Sequence, residues 1–419
     1  MYALIDADGM YAACEKVFDA KIRKKPVMVL SNNDGTVVAL CRQAKALGFK
    51  KFIPFFQVAD AAKKAGVIVR SSNYSLYADL SSRMMDTCSH FAPEMHVYSI
   101  DECFLFYHFN QEPDEYWTLL GHNIRRTVWK EVRLPVGVGF GPTPTLAKAA
   151  NHAAKKIEGY NGVAVLSSLE SRKHVLSRMA VTDVWGIGNR LGRKLNFMNI
   201  HSALQLAQQN PKQMRKAFSI NVENTVRELN CEIRLSWDDV RHDKKEIYST
   251  RSFGQRITER EQLRFALATH AEIASAKMRK QHSVASAMTI FASSSPHDVS
   301  PFFHKSLLHK FPVPTSDTRN IIAATAKAVD TLFVDGVRYY KCGVGILDIN
   351  SAKYTQHDLF TTSNDNQELM RVLDSINARY GRSTVHFAAK GFEQKFAMRR
   401  DFLSKCSTTK WREIPKVKC

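Results

Sequence analysis

The hydrophobic pattern opens on a short apolar run, residues 2–7, which has the length of a strand and carries Asp6 near its end. Two further strand-like runs, 27–31 and 37–40, flank Asn32-Asn33-Asp34-Gly35, a turn signal that predicts a hairpin. A helix is predicted from Gln43 to the stop at Gly48, and an amphipathic helix over 74–89. Strands follow over 96–100 and 103–107 with Asp101-Glu102 at their junction, then over 136–140. Residues 145–156 read as a helix capped by Thr143 or Thr145 and broken near Gly159.

The pattern changes after Val165. Residues 168–235 look helical with short loops, and within them lies Val184-Trp185-Gly186-Ile187-Gly188. From Lys245 the periodicity alternates again: strand 247–253, helix 261–282, strands 284–292 and 306–311, helix 319–333, strand 339–347. That βαββαβ order predicts a small ferredoxin-like sandwich with its helices on one face. Residues 351–366 are polar and read as a linker; one further helix is predicted over 366–378, ahead of a basic end. The whole is an α+β chain with no internal repeat.

Composition changes the picture in one respect. A formal net charge of +20 over 419 residues favours a polyanionic partner, nucleic acid before an anionic membrane. No apolar run is long enough to span a bilayer, and Asp6 interrupts the N-terminal run too early for a signal peptide, so a cytoplasmic location is expected. The 8 cysteines are scattered without a C-x-x-C pair, which argues against zinc and against a disulfide framework. Gly186-Ile187-Gly188 is not a dinucleotide fingerprint, because Leu191 stands where the third glycine belongs. It fits a helix-hairpin-helix turn whose backbone N–H groups approach a phosphate, or a plain turn between helices.

The acids are the chemical lead. Asp101-Glu102 between two apolar strands, together with Asp6, would raise one another's pKa unless a cation compensates them. Magnesium takes oxygen ligands and is often shared with substrate phosphates. From spacing alone a second reading stands: Asp6 caps a turn and Asp101-Glu102 is an exposed hairpin tip.

At this point a family resemblance enters. Asp6-Ala7-Asp8-Gly9-Met10-Tyr11-Ala12-Ala13-Cys14-Glu15 and Tyr98-Ser99-Ile100-Asp101-Glu102-Cys103-Phe104 resemble the two acidic motifs of Y-family DNA polymerases. Pro135-Val136-Gly137-Val138-Gly139 with Thr145-Leu146-Ala147-Lys148-Ala149-Ala150-Asn151 resembles their third palm motif, and Val184 to Gly188 their thumb hairpin. Ser31 to Gly35, Ser71 to Asp79 and Arg251 to Thr258 look like the UmuC subfamily, and the likeness runs the length of the chain in order. Gly9-Met10 departs from the bulkier pair usual before the tyrosine.

The resemblance implies a right-hand polymerase: palm over 1–17 and 71–166, small fingers over 18–70, and a helical thumb with the helix-hairpin-helix over 167–240. A ferredoxin-like little finger over 241–350 follows, then a linker and partner-binding tail over 351–419. It implies two magnesium ions held by Asp6, Asp101, Glu102 and the Ala7 carbonyl, with the three acids catalytic. Tyr11 would be the steric gate under the sugar, and Arg42, Lys45 and Lys155 would hold the incoming dNTP. Gly186, Gly188, Arg251 and Arg256 would contact primer-template DNA. Gln356, Leu359 and Phe360, in Gln356-His357-Asp358-Leu359-Phe360, would dock on a sliding clamp. A UmuD′-like dimer, a RecA filament and a nucleoid-associated bacterial setting are the further implied partners. The rival classes are a two-metal nuclease or cyclase on a palm-like sheet, and a DNA-binding scaffold without activity.

Overall fold

The computed structural model describes residues 1–419 apart from 110, 236–242, 355–363, 382, 392–397 and 416–419. The chain divides into two units, Met1–Asp239 with Asp401–Cys419, and Val240–Arg400.

In the first unit, strands β1 (Tyr2–Ala7), β5 (Glu94–Val97), β6 (Glu102–Phe106), β7 (Val136–Gly141) and β8 (Val163–Val165) form a five-stranded sheet in the order β5-β6-β1-β7-β8. β1 is therefore central, and its residues are buried except at Asp6. A second sheet, β3-β2-β4, joins β2 (Val27–Leu30), β3 (Val37–Leu40) and β4 (Ile68–Ser71). The predicted hairpin is β2 and β3, and its turn uses positive φ at Asn33 and Asp34, residue types that tolerate that region. β4 pairs parallel to β2, a long-range partner with no local signal. Helices α1 (Met10–Val17), α2 (Arg42–Ala46), α3 (Phe55–Lys64), α4 (Tyr74–Ser89) and α5 (Asp114–Glu131) complete this core.

Helix α6 (Pro144–Lys156) lies against the sheet because β7 has glycine at alternate positions. A Cβ at Gly139 would sit 2.1 Å from the Asn151 nitrogen, and one at Gly141 2.6 Å from that of Ala147. Asn151 then ties the helix to the sheet, donating to the carbonyls of Gly137 (2.8 Å) and Leu4 (3.2 Å). Of the two predicted caps the structure uses Thr143, whose hydroxyl accepts from the Leu146 N–H. Helices α7 (Leu169–Arg178), α8 (Asn189–Phe197), α9 (Ala203–Ala207), α10 (Pro211–Ala217) and α11 (Ile220–Leu229) share a core with the other face of α6. Glu228, buried in α11, accepts from the Thr145 N–H at the α6 N-terminus, where a carboxylate is favoured by the helix dipole.

The second unit has the predicted βαββαβ order: β9 (Ile247–Ile257), α12 (Arg260–Lys280), β10 (Ser283–Ser293), β11 (His304–Thr315), α13 (Thr318–Leu332), β12 (Tyr339–Ser351). The sheet order is β11-β10-β12-β9, so the last strand inserts between the first and second, and all pairs are antiparallel. α12 packs on α13 and on the sheet. Helix α14 (Gln367–Tyr380), capped by Asn366, belongs to this unit. Arg279 of α12 grips its Asp374 with two hydrogen bonds of 2.7 Å, and Lys390 reaches the buried Glu272 at 3.1 Å. None of the described helices is long and apolar enough to cross a membrane. The cysteines among the described residues are free thiols, mostly buried.

Arg279→Ala removes the charged grip on α14 and leaves Asp374 unpaired, at a cost of about 2 kcal/mol local to that helix. Hydrogen exchange is the check: amides of α14 should lose protection while those of α12 keep theirs.

Candidate active site

The antiparallel register of β1 and β6 sets Asp6 directly opposite Glu102, and the Ala7 N–H donates to the Asp101 carbonyl at 2.9 Å. The register thus sets Asp6 and Glu102 side by side at one end of two interior strands, with Asp101 next to Glu102 in the chain. Asp101 is held by the Ser99 hydroxyl, which donates to its Oδ1 at 2.6 Å. Burial pushes the Asp6 carboxyl up to about 6; Lys155 opposes the rise, and Glu102 and Asp101 add to it.

Two lysines of α6 answer these charges. Lys155 Nζ lies 2.6 Å from Asp6 Oδ1 and 3.0 Å from Asp8 Oδ1, and Lys148 Nζ lies 2.8 Å from Glu102 Oε2. A Cβ on Gly137 would come within 2.7 Å of Lys155 Cε, so that glycine opens the path of the lysine to the acids. Lys148 also sits over the rings of Tyr98 (4.6 Å) and Trp185 (5.0 Å), a cation held by two aromatic faces. Asp8, Tyr98, Lys148 and Trp185 stand in the motifs quoted from the sequence, but none was given a site role there. Lys148 and Lys155 are seven residues apart on one helix, a spacing that places both on one face and was available as a signal. Trp185 is half-buried against Phe104 and Tyr98 and donates to the Tyr98 hydroxyl at 3.3 Å.

Among the described residues no group of three or more His, Cys, Asp and Glu side chains is gathered closely enough to hold a metal ion. The lysine ammonium groups stand at the carboxylate oxygens instead. The donors themselves are carboxylates and a backbone carbonyl, oxygen only, which is the chemistry of a hard divalent cation and not of zinc.

Tyr11, the second residue of α1, stacks on Tyr77 of α4 at 4.6 Å with 15° between the planes and meets Tyr74 edge-on at 5.9 Å. Its helix starts at Gly9, whose φ of 55° is left-handed and whose absent Cβ would lie 2.6 Å from the Leu40 carbonyl oxygen. This is the physical account of the unusual Gly9-Met10 pair: the turn from β1 into α1 presses on β3, and only glycine fits. Arg42 and Lys45 are exposed on α2.

The Gly186–Gly188 turn follows a single 3-10 turn, Val181–Asp183, and leads into α8. Gly186 has φ 86°, and at Gly188 an added Cβ would meet nothing within 4 Å, so that backbone is open to approach. In the second unit Arg251 is exposed on β9. Arg256 is not free in the same way: it makes a bidentate pair with Asp298 (3.0 and 2.7 Å) and lies over the Tyr340 ring at 4.6 Å. Gln356, Leu359 and Phe360 lie outside the described residues.

Fold and site together define the architecture of a Y-family DNA polymerase. A solved Y-family DNA polymerase chimera of Dbh and Dpo4 superposes with a TM-score of 0.65 at 19% identity, covering 84% of this chain and 99% of that one. An insertion ternary complex of Dbh DNA polymerase gives 0.51 over the same shares.

The chain belongs to the impB/mucB/samB family, which it matches over residues 5–152, with the family's C-terminal domain over 244–359. Residues 367–417 match a domain of unknown function. Protein UmuC and Protein SamB of Salmonella typhimurium are each 40% identical to it over 100% of both chains. A DNA polymerase IV of Oceanobacillus iheyensis is 23% identical over 91% of this chain and 90% of its own.

Gly9→Ala puts a side chain in left-handed backbone and against the Leu40 carbonyl. It should cost about 2 kcal/mol or more, read as a lower urea midpoint for the full chain.

Proposed function

We propose that this chain is a template-directed DNA polymerase that carries out error-prone synthesis across damaged templates in an SOS-type response. The observation that carries the reading is the cross-strand pairing of Asp6 with Glu102, with Asp101 beside them, in a chain 40% identical end to end to Protein UmuC. Asp6, Asp101, Glu102 and the Ala7 carbonyl would hold two magnesium ions, which supply charge stabilisation at the attacking and leaving oxygens of nucleotidyl transfer. A nuclease or cyclase on the same sheet accounts for the acids but not for the stacked tyrosine at the start of α1.

The chain's own residues then divide the work. Lys155 is placed beside the acids, where its ammonium can exchange a carboxylate for a triphosphate oxygen, and Arg42 and Lys45 on the exposed side of α2 add positive charge for the same group. Tyr11 presents a ring held by Tyr77 beneath the sugar and rejects a ribose 2′-hydroxyl by volume. The open backbone at Gly186 and Gly188 and the exposed Arg251 suit sequence-independent phosphate contacts with primer-template DNA. Arg256, committed to Asp298, contributes by shaping the strand that carries Arg251.

In this reading the palm, fingers, thumb and little finger take the divisions that the family resemblance implies, and magnesium, dNTPs and primer-template are the ligands. A UmuD′-like dimer and a RecA filament are the proposed activating partners at the bacterial nucleoid. A sliding clamp is the proposed tether through Gln356, Leu359 and Phe360, since tethering raises local concentration at the primer end without new contacts in the active site.

Asp101→Asn should abolish nucleotide incorporation in a primer-extension assay while leaving DNA affinity in a filter-binding assay close to the parent. Near-normal extension would refute the catalytic assignment. Replacing Leu359 and Phe360 together by Ala should leave extension of short primers unchanged and remove stimulation by added clamp; equal loss with and without the clamp would make the pair structural.

A further inference from the structure

Residues 401–413 follow the second unit in sequence but pack in the first, among the elements that hold Tyr11. Their attachment is specific. The Asp401 N–H donates to Asp34 Oδ2 at 2.8 Å, and Phe402 pairs its backbone with Ser71, accepting from the Ser71 N–H at 3.1 Å and donating to the Ser71 hydroxyl at 3.0 Å. The Phe402 ring meets Phe55 edge-on at 6.1 Å. Asn73, 2% exposed, caps α4 through its Oδ1 and donates through its Nδ2 to Ser404 Oγ (3.0 Å), the Ser404 carbonyl (3.3 Å) and the Lys405 carbonyl (3.3 Å). Ser404 in turn donates its hydroxyl to Glu15 Oε1 at 3.1 Å.

Glu15 is the junction. It is 4% exposed on α1, and the same Oε1 accepts the Tyr77 hydroxyl at 2.6 Å, while Arg70 stands 3.6 Å from its other oxygen. Tyr77 is the ring on which Tyr11 stacks. A buried carboxylate short of donors is costly, so each of its hydrogen bonds constrains where it sits. Ser404, Glu15, Tyr77 and Tyr11 therefore form one connected chain from the C-terminal segment to the ring beneath the sugar.

We propose that the segment 401–413 is a positioning element for sugar selection, with Ser404 setting the Tyr11 ring through Glu15 and Tyr77. It gives part of the domain of unknown function a role in the active site of its own chain. The inference rests on the gate role assigned to Tyr11, and a double-mutant cycle separates the two.

The experiment compares kcat/KM for a ribonucleotide and the matching deoxyribonucleotide in full-length parent, Ser404→Ala, Ser404→Thr, Tyr11→Ala and the Tyr11→Ala/Ser404→Ala double variant, with melting temperatures alongside. Ser404→Ala should raise the ribo-to-deoxyribonucleotide ratio about threefold or more, and Ser404→Thr, which keeps the hydroxyl, should hold the parent ratio. In the Tyr11→Ala background Ser404→Ala should add nothing. Phe402→Ala, which unpins the segment without touching Glu15, should move the ratio in the same direction and covers the case of a poorly folded Ser404→Ala. An unchanged ratio in both Ser404→Ala and Phe402→Ala overturns the inference while leaving the gate standing. An equal rise in the Tyr11→Ala background overturns the route through the ring. No response to Tyr11→Ala itself removes the gate and this inference together.

Discussion

The contact on which the site depends is backbone against backbone: α6 lying on β7 where Gly137, Gly139 and Gly141 carry no side chain. A Cβ on Gly139 would fall inside the backbone of the helix, and one on Gly137 inside the lysine that reaches Asp6. With the helix at this depth, Lys148 and Lys155 arrive at Glu102 and Asp6 without stretching, and Asn151 locks the arrangement onto β1 through the Leu4 carbonyl. Raise the helix by one side-chain radius and the charges no longer meet. Glu228 adds a second restraint by satisfying the N-terminus of the same helix from α11, so α6, the sheet and α11 are mutually fixed.

That geometry gives the acids a state in which they are compensated from within the protein. Asp6 is mostly removed from water and its carboxyl is correspondingly reluctant to ionise. Lys155 and Lys148 supply the opposing charge at contact distance, and the ring faces of Tyr98 and Trp185 hold Lys148 in its place. Tyr98 belongs to the strand region that carries the acids and Trp185 to the hairpin turn before α8. The turn before α8 is therefore joined to Glu102 through Lys148.

Much of this was legible in the chain before any coordinates. Short apolar runs ending in Asp6 and flanking Asp101-Glu102 are local features, and they marked the central strands. The order βαββαβ was legible for the same reason, since each element carries its own period. The strand order within that sheet depends on pairing between distant segments and has no local signature. Helix α5 was passed over although Trp117, Ile124 and Val128 recur on one face, and β4 was passed over because it is four residues long and only Ser71 among them is buried. The pairing of Arg256 with Asp298 was not legible either, since it depends on a loop about forty residues away that sequence alone cannot bring alongside.

The hydrogen bond between Glu15 and Ser404 joins residues 389 positions apart. A contact of that span is the slowest kind to form, since it waits on ordering nearly everything between its ends. During synthesis at ordinary bacterial rates, about 20–80 s separate the making of its two halves. For that interval Glu15 lacks one of the donors it has in the complete chain. The surroundings of the Tyr11 ring are thus among the last parts of the molecule to be completed.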